Sequence, residues 1–568
     1  QGAGIAASPR PHPATVDHVG TRQINGRQED DMNSNKHRYA LSSLIAGLFL
    51  CLCGCSGQGS SELPNGDTNN TPTPTPTPTP ISNTPTPNTP IPPWTTPVIS
   101  GACNPNRFVT ANAMGGGDGS AAQPWTLAEA MQQAVAGHRV QVAPGIYIGA
   151  PTGARYVPTF APANSGNATA PIVFCAQYPA AHNETRTDLW AEVRNLCANP
   201  GVENRNCSPV LGVANRDYIV LDGFAADQLY SPWRPDVGPV VMVGSSYSQF
   251  RHLRVVTRPQ PFYDNNPAIR VDYSQYLAIT DNRLICIYSA SNPSEGQGTA
   301  GIMSYDSGFY EWAHNEIQGC RSGLFPKGVH YDAQRPTQWM APGRIHHNRV
   351  TGTQWGVLVM GAPGAPEDQL PPDYFIDVYQ NVIHDTYQGS SLNPIGATNT
   401  RRLRFVNNTI VAQHADLGAG ISVSSMPAAD NFEQSLWRNN ISMGMAAPYG
   451  FYGSGTGART GLERLDFDYN RFHEIRALVV STDSVGFEPI VDSLSEWQGL
   501  GHDPHSTQGD PGFIDYAQRD LRLRSDSACR NAGTDYLNLR GNGVGAPIHQ
   551  GAYITDDQSD VIGIRPAN

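Results

Sequence analysis

Charged residues are scarce in this chain. Asp, Glu, Lys and Arg supply 15% of its 568 residues, and the hydrophobic types supply 39%, both low for a globular protein. Helical bundles and coiled coils depend on Ala, Leu, Glu and Lys, so this composition argues against them. Glycine and proline, with 57 and 47 residues, are abundant instead. That abundance favours many short strands joined by turns.

Lysine is almost absent. Only Lys36 and Lys327 occur among the 37 Lys and Arg residues, and the formal net charge is −12. A nucleic-acid-binding protein needs a basic face for the phosphates, so this balance argues against one, although a local basic groove could exist. We expect no nucleic acid among the partners and a monomeric protein.

The N-terminal region has the composition of an export signal followed by a tether. The first methionine is Met32, so residues 1–31 are expected to be an upstream segment outside the fold. Lys36 and Arg38 precede an apolar run at 39–54, too short for a membrane span of about 20 residues. Residues 56–98 include five Thr-Pro repeats at 71–80, which predict an extended linker.

The sequence Leu-Cys-Gly-Cys that ends at Cys55 resembles a bacterial lipobox. The resemblance implies a signal peptide at 32–55, cleavage before Cys55, and lipidation of that cysteine. An uncleaved anchor helix, or cleavage without a lipid, is the alternative. Ser56 follows Cys55, and by resemblance to Gram-negative lipoproteins this implies transport to the outer membrane or cell surface, with the lipid as the membrane anchor.

Seven cysteines follow Cys55, and an exported protein can form disulfides. An odd number leaves at least one unpaired within a monomer. Cys197 and Cys207 are close enough in sequence to be plausible partners, and the spacings resemble no zinc site.

An apolar-x-x-Asn-x-apolar pattern recurs seven times with spacings of 33, 33, 33, 27, 31 and 31 residues; its asparagines are Asn282, Asn315, Asn348, Asn381, Asn408, Asn439 and Asn470. A second pattern, Gly-apolar, precedes many of them, at Gly301, Gly323, Gly356, Gly420 and Gly450. Each unit therefore contains two or more short strands and no convincing helix. A short strand cannot bury its face alone, so successive units must stack.

These repeats resemble the right-handed parallel β-helix of the pectate-lyase-like superfold, an all-β solenoid with a line of stacked asparagines. Identical amides about 4.8 Å apart can each donate and accept a hydrogen bond. The resemblance implies a short N-terminal capping helix near residues 125–130, a β-helix over 99–500, and C-terminal coils or a cap over 501–568.

Alignment of the repeats at their glycines predicts which residues face outward. The inward column is Ile302, Leu324, Val357 and Ile421, and the outward column is Tyr305, Lys327, Met360 and Ser424. Lys327 would lie beside Phe325 and Leu358. Apolar neighbours remove water from an amine and lower its pKa, so Lys327 is predicted to act as a base.

The segment Phe325-Pro-Lys327-Gly328 loosely resembles the lysine segment of alginate and chondroitin lyases of this fold. The resemblance implies an acidic polysaccharide as partner and cleavage by β-elimination, in which Arg or Ca²⁺ neutralises the uronate carboxylate. In those enzymes the next coil carries an Arg, but here that position is Met360. The nearest basic residues in sequence are His330, Arg335 and Arg344. No aspartate cluster resembles the Ca²⁺ site of pectate lyases, so Ca²⁺ is a possible cofactor and the metal site is unknown.

Two insertions, 329–342 and 362–373, leave the same edge just after Lys327 and Met360, and they are predicted to wall a groove. Aromatic side chains in such a groove would stack on sugar rings. The predicted catalytic residues are Lys327, His330 and Arg335, and the predicted substrate-binding residues are Tyr305, Phe325, Tyr331 and Trp339.

Two alternatives remain open. The chain could be a non-catalytic glycan-binding or adhesive surface protein, or, less favoured, a hydrolase or sugar epimerase. The aspartate set of polygalacturonases is not present in the sequence. Four residues before successive ladder asparagines stand Glu311, Arg344, Asp377 and Arg404, whose alternating signs predict a structural charge ladder. His346 and His347 are predicted to be mainly structural.

Overall fold

The computed structural model describes residues 103–179, 187–197, 207–227, 237–257, 266–287, 299–327, 343–360, 375–386, 395–398, 402–412, 419–424, 435–452, 465–483 and 486–565. The predicted signal peptide, Cys55 and the Thr-Pro linker lie outside these residues. Within the described part of the chain, no helix is long and apolar enough to cross a membrane.

Three long sheets, here called A, B and C, account for most of the strands. Sheet A comprises β1 (Arg107–Val109), β2 (Arg139–Val142), β4 (Ile172–Ala176), β7 (Ile219–Asp222), β10 (Gln249–Arg251), β13 (Gln275–Thr280), β16 (Gly308–Ala313), β19 (Gly343–His346), β22 (Ile376–Tyr379), β25 (Leu403–Val406), β28 (Leu436–Arg438) and β31 (Asp466–Asp468). Sheet B comprises β3 (Gly145–Gly149), β5 (Ala191–Asn195), β8 (Phe224–Asp227), β11 (Arg254–Thr257), β14 (Arg283–Cys286), β17 (Glu316–Gln318), β20 (Arg349–Thr351), β23 (Val382–Thr386), β26 (Thr409–Ala412), β29 (Ile441–Met445), β32 (Arg471–Ile475) and β35 (Thr507–Gln508).

Sheet C comprises β6 (Leu211–Ala214), β9 (Val240–Val243), β12 (Asn266–Asp272), β15 (Thr299–Tyr305), β18 (Ser322–Lys327), β21 (Trp355–Met360), β24 (Ile395–Thr398), β27 (Ala419–Ser424), β30 (Ala447–Tyr452), β33 (Val479–Asp483) and β34 (Gly486–Val491). The remaining elements are α1 (Leu127–Gln133), a short 3₁₀ helix (Thr187–Leu189), α2 (Leu494–Gly499), and two hairpins formed by β36 (Phe513–Asp515) with β37 (Asp520–Leu523) and β38 (Gly533–Thr534) with β39 (Pro547–Ile548).

The chain visits the sheets in the order C, A, B, and each strand pairs in parallel with its equivalent in the next coil. The predicted right-handed parallel β-helix is therefore confirmed, and right-handed connections are those that parallel strands take in nearly all proteins. Only β34 breaks the pattern in sheet C, because it pairs with β33 in the antiparallel sense. The inward faces form one continuous apolar core, in which Ile302, Leu324 and Val357 are fully buried in register.

The turn from sheet A to sheet B is two residues long in eight successive coils, and the last seven of these turns carry the asparagine ladder. In those seven turns the first residue has a positive φ, as in Asp281 (58°) and His347 (55°), and the second is a buried Asn. Each ladder amide donates to the next amide oxygen, with Nδ2 to Oδ1 distances of 2.9 Å from Asn282 to Asn315 and 3.0 Å from Asn348 to Asn381. The predicted line of stacked asparagines is confirmed.

One ladder position was predicted wrongly. Asn440, not Asn439, accepts from Asn408 and donates to Asn470. Asn439 is the first residue of its turn, with a φ of 57°, and bonds to the equivalent Asn407. The sequence pattern failed here because either asparagine of the doublet has apolar neighbours, whereas the strand pairing of Phe405 with Trp437 sets the register.

A second correction concerns the column that contains Lys327. The glycine alignment passed directly from Gly356 to Gly420, but β24 lies between β21 and β27. The coil was missed because its sheet C strand, Ile-Gly-Ala-Thr, lacks the Gly-apolar start of its neighbours. The strand register that contains Lys327 therefore runs through Tyr305, Lys327, Met360, Thr398 and Ser424.

The C-terminal segment runs back along the A–B turns and contacts their first residues in succession: Thr534 bonds to Asn439, His549 to Asn407, Ala552 to Gln380, Gly563 to His347, and Arg565 to Asp281. The C-terminal segment thus provides hydrogen-bond partners for the first residues of the A–B turns.

Within the described ranges, three disulfides link Cys103 with Cys175, Cys197 with Cys207, and Cys286 with Cys320. The predicted pairing of Cys197 with Cys207 is confirmed. The odd cysteine is Cys529, which is buried and has a pKa raised by that burial to about 11.

Candidate functional site

Lys327 is the last residue of β18, on the outward face of sheet C. Its strand partners are Tyr305 on one side and Met360 on the other, as the repeat alignment predicted. Around it the outward face is apolar, because Met303 and Phe325 are buried there and Leu358 packs against them. Lys327 itself is only partly buried, so its ammonium lies at the boundary between this apolar patch and solvent.

The Lys327 side chain is held by its aromatic neighbours. Its Nζ donates to the hydroxyl of Tyr305 at 2.6 Å. The same nitrogen lies 4.7 Å from the centre of the Tyr305 ring and 5.0 Å from that of Phe325, within the range of cation–π attraction. Burial raises the pKa of Tyr305 to about 12, so its hydroxyl keeps its proton at neutral pH.

An arginine and an aspartate complete this cluster from the preceding coil. Asp272 pairs with Tyr305 across the strands, and the Arg270 guanidinium lies 4.5 Å from the centre of the Tyr305 ring. The two are almost fully buried and form an ion pair, with Arg270 Nε 2.9 Å from Asp272 Oδ2. Tyr156 adds a hydrogen bond to Asp272.

Burial controls the titration of this pair. It raises the pKa of Asp272, although the Arg270 charge opposes the shift. For Arg270, burial is the largest cause and works to lower the pKa, but Asp272, Tyr156 and Tyr305 together outweigh it and the net change is upward. The guanidinium therefore stays charged beside the Tyr305 ring. Sequence reasoning missed Arg270, Asp272 and Tyr156, and the one available signal was an Arg-x-Asp at the equivalent outward positions of β12.

The structure thus brings together three of the predicted site residues, Lys327, Tyr305 and Phe325. The other four, His330, Tyr331, Arg335 and Trp339, lie outside the described residues, as do both predicted insertions. Long connections enter or leave sheet C in several coils: residues 228–236, 258–265 and 288–298 lead into it, and 328–342 and 361–374 leave it.

Arg344 does not belong to this cluster. It lies on sheet A, where it pairs in register with Glu311 on one side and Asp377 on the other. Asp377 in turn binds Arg404, with Oδ1 and Nε 2.5 Å apart. The predicted charge ladder is confirmed.

A cleft of about 520 Å³ lies elsewhere, between sheet B and the C-terminal hairpin β36–β37; it is lined by Arg349, Thr351, His384, Gln518, Arg519, Asp520, Arg522 and Tyr553. Its arginines are largely neutralised locally, since Arg519 binds Asp385 at 2.6 Å and Arg522 binds Asp520 at 2.5 Å. Lys327 is not among the lining residues.

Among the described residues, one group of three metal-binding side chains converges, and it is not at sheet C. It consists of His314, His346 and His347, near the A–B turns. Imidazoles do not suit Ca²⁺, which prefers oxygen ligands. The described part of sheet C contributes Asp272, but that carboxylate is already bound by Arg270.

No family model matches the sequence, and no curated protein matches it. Several solved structures resemble the chain at low identity. Pectate lyase Pel9A shares 14% identity over 81% of this chain and 98% of its own, with a TM-score of 0.40. The PL6 family polysaccharide lyase Pedsa3628 from Pseudopedobacter saltans shares 12% over 78% and 99%, with a TM-score of 0.38. An exopolygalacturonase from Thermotoga maritima shares 8% over 61% and 82%, with a TM-score of 0.35. Likeness at this level carries no argument about the reaction.

Proposed function

We propose that this protein binds an acidic polysaccharide on the outward face of sheet C and cleaves it by β-elimination, with Lys327 as the base. The observation that carries the proposal is the position of the Lys327 amine, 2.6 Å from the Tyr305 hydroxyl and against two aromatic rings at the rim of an apolar patch. The apolar patch removes water from this amine, which favours the neutral form that the reaction uses, whereas the two ring faces favour the ammonium to which it returns the proton.

The two groups supply a base and an acid. The neutral amine of Lys327 takes the C5 proton of a uronic acid, and the C–H electron pair forms the C4–C5 double bond as the C4–O bond breaks. The departing oxygen takes the proton of the Tyr305 hydroxyl. The Lys327 ammonium then returns a proton to the tyrosinate along their hydrogen bond, which restores both groups for the next cycle.

The uronate carboxylate must be neutralised for its C5 proton to become acidic. Arg335 and His330 are the proposed partners, because both belong to the segment that follows Lys327 directly in sequence. Ca²⁺ is the alternative. Arg270 has a different role in this proposal: its guanidinium is committed to Asp272, and it positions the Tyr305 ring. Tyr331 and Trp339 would stack on neighbouring sugar rings.

We also propose that the mature protein is anchored in the outer membrane through a lipid on Cys55, with residues 56–98 as a tether. The support is the lipobox-like sequence and the Thr-Pro composition. A tether of this kind would place the groove beside extracellular or periplasmic glycans while the fold stays membrane-attached.

The test is a screen of the purified protein on alginate, pectate, chondroitin and heparin, followed by the ultraviolet absorbance of the unsaturated product. Lys327→Met, which keeps the length of the side chain and removes the amine, should lower the rate at least about 100-fold. Lys327→Arg should fail as well, because a guanidinium stays protonated. Arg522→Met, in the sheet B cleft, is the matched control and should keep its rate. A Lys327→Met variant with full activity on a verified substrate rules out the mechanism.

Binding without cleavage is the second candidate function. The cleft on sheet B favours it, because its arginine and glutamine side chains can donate hydrogen bonds to a glycan even where their charge is balanced by aspartates. If none of the four polymers is cleaved but one is retarded in affinity gel electrophoresis, glycan binding without cleavage becomes the proposed function. Loss of retention in Arg522→Met would then place the glycan on sheet B. Loss in Trp339→Ala or Tyr331→Ala would place it beside sheet C.

A further inference from the structure

Three histidines meet at the corner between sheets A and B. His314 and His347 are the first residues of successive A–B turns, both with positive φ, and His346 ends β19 just before His347. Their rings are in contact: the centroids of His314 and His347 are 4.8 Å apart and nearly parallel, and those of His346 and His347 are 5.0 Å apart. One nitrogen from each ring lies within 4.8 Å of the other two.

Neighbouring groups determine which nitrogen of two rings carries the proton. His314 Nδ1 lies 3.0 Å from the Val561 carbonyl oxygen, which can only accept, so Nδ1 carries the hydrogen and Nε2 keeps its lone pair. His346 Nε2 lies 3.2 Å from the Glu311 carboxylate, so the lone pair of His346 is at Nδ1. His347 Nδ1 lies 2.8 Å from that lone pair and donates to it.

A histidine whose second nitrogen donates to a carboxylate or a carbonyl is the usual form of a metal-bound histidine. Here two of the three rings are held that way by groups from outside the cluster.

We propose that His314, His346 and His347 bind a divalent transition metal ion of the zinc class. Imidazole ligands favour Zn²⁺, Cu²⁺ or Ni²⁺ over Ca²⁺ and Mg²⁺. In a zinc site with bonds of about 2.0–2.1 Å, ligand nitrogens lie about 3.3 Å apart. His346 Nδ1 and His347 Nδ1, now 2.8 Å apart, would separate by about 0.5 Å, and His314 would approach them by up to about 1.5 Å. His347 moves its proton from Nδ1 to Nε2, and no net proton is released.

Charged groups of both signs lie at this corner. Arg565 opposes a cation at this corner, but it is bound by Asp281, with Nε and Oδ1 2.8 Å apart. Glu311 contributes a second carboxylate next to His346. The ion would connect β16 and β19 with the C-terminal segment, since His314 also holds the Val561 carbonyl. The proposed role is structural, and it is independent of the reaction at Lys327.

The test uses the full chain, freed of metal with a chelator and desalted, then titrated with Zn²⁺ by calorimetry. One ion per chain is expected to bind and to survive a second desalting step. His347→Ala and His314→Ala should each weaken binding at least about 100-fold, and Glu311→Gln about 10- to 100-fold. His384→Ala, which removes a buried histidine on sheet B, is the matched control and should bind like the parent.

Co²⁺ substitution gives a second readout, because its visible absorption reports nitrogen coordination directly. The parent should show an intense band, and His314→Gln should lose it while its circular dichroism stays unchanged. This variant also serves if His347→Ala does not fold. No bound ion in the parent, or binding that persists unchanged in both His314→Gln and Glu311→Gln, overturns the proposal.

Discussion

Lys327 differs from other strand-end residues because an aromatic hydroxyl holds its amine in place. The sequence predicted its outward position and its neighbours Tyr305 and Phe325. For Arg270 and Asp272 the sequence offers only the Arg-x-Asp of β12, and that pattern does not show that the two residues form a buried ion pair beside the Tyr305 ring. The chemistry of this lysine therefore depends on packing between coils.

Tyr305→Phe tests the acid half of the proposed reaction. It keeps the ring that Lys327 and Arg270 contact and removes only the hydroxyl. We expect the rate on a verified uronide to fall about 100-fold, in the range of general acid catalysis, with little change in substrate binding. Tyr273→Phe, at an exposed tyrosine nearby, is the control. An unchanged rate in Tyr305→Phe would exclude the hydroxyl from the mechanism.

Asp503 is a buried carboxylate whose titration should affect stability. Burial raises its pKa to about 6, against hydrogen bonds from Ser506, Tyr449 and Asn470. A folded-state pKa above the unfolded value stabilises the fold below about pH 4, and this contribution is lost as the pH rises through about 6.

Relative to the parent, Asp503→Asn should therefore gain roughly 2 kcal/mol in the free energy of unfolding between pH 4 and pH 7. Urea denaturation at the two pH values measures the difference. Asp492→Asn, at an exposed site, provides the comparison. A parent-to-variant difference that is constant from pH 4 to pH 7 would contradict the assignment.

At the scale of elements, the A–B turn is the most regular part of the structure. Its two residues have different partners: the first forms hydrogen bonds with the C-terminal segment, and the second belongs to the asparagine ladder. The repeat spacing predicted the ladder but not its register at Asn439 and Asn440, because only strand pairing distinguishes two adjacent asparagines. It also missed β24, whose strand pairs well despite an atypical sequence.

Asn348→Ala should be strongly destabilising. Asn348 Nδ2 donates to the Trp312 carbonyl at 2.8 Å and to Asn381 Oδ1 at 3.0 Å, and its own oxygen accepts from Asn315. Removal leaves several buried groups without partners, at a cost of about 1–3 kcal/mol each. We expect a loss of at least about 3 kcal/mol by urea denaturation. Asn542→Ala, at an exposed position, should change stability by less than about 0.5 kcal/mol.

At the scale of the molecule, the C-terminal segment ties distant coils together. Arg565 is 284 residues from Asp281 in sequence, yet it covers the buried carboxylate of that residue. No repeat pattern could reveal this contact, since the tail is not a repeat. The sequence indicated only that residues 501–568 form the end of the solenoid.

Arg565→Met should show how much this contact contributes to the free energy of unfolding. Asp281 is almost fully buried and keeps its pKa below the usual value, against the effect of burial, through its bonds with Arg565. Because Arg565 is about half exposed, we expect a moderate loss of about 1–3 kcal/mol. Arg524→Met, which breaks exposed ion pairs, should lose less than about 0.5 kcal/mol. Equal effects would show that the tail contact adds nothing to stability.

Cys55→Ala tests the proposed attachment. If the mature chain begins at a lipid-modified Cys55, the variant should move from the detergent phase to the aqueous phase in Triton X-114 partitioning and should leave the membrane fraction. Partitioning identical to that of the parent would refute the lipid anchor.

The sequence by itself determined the parallel β-helix, the asparagine ladder, the charge ladder and the outward position of Lys327. All of these repeat from coil to coil, so they can be read from the order of residues. Only the tertiary structure decided the register at Asn440, the position of β24, the Arg270–Asp272 pair under Tyr305, and the histidine corner beneath Val561. These depend on contacts between residues whose separation follows no period, and such contacts arise only when strands pair and the tail folds back.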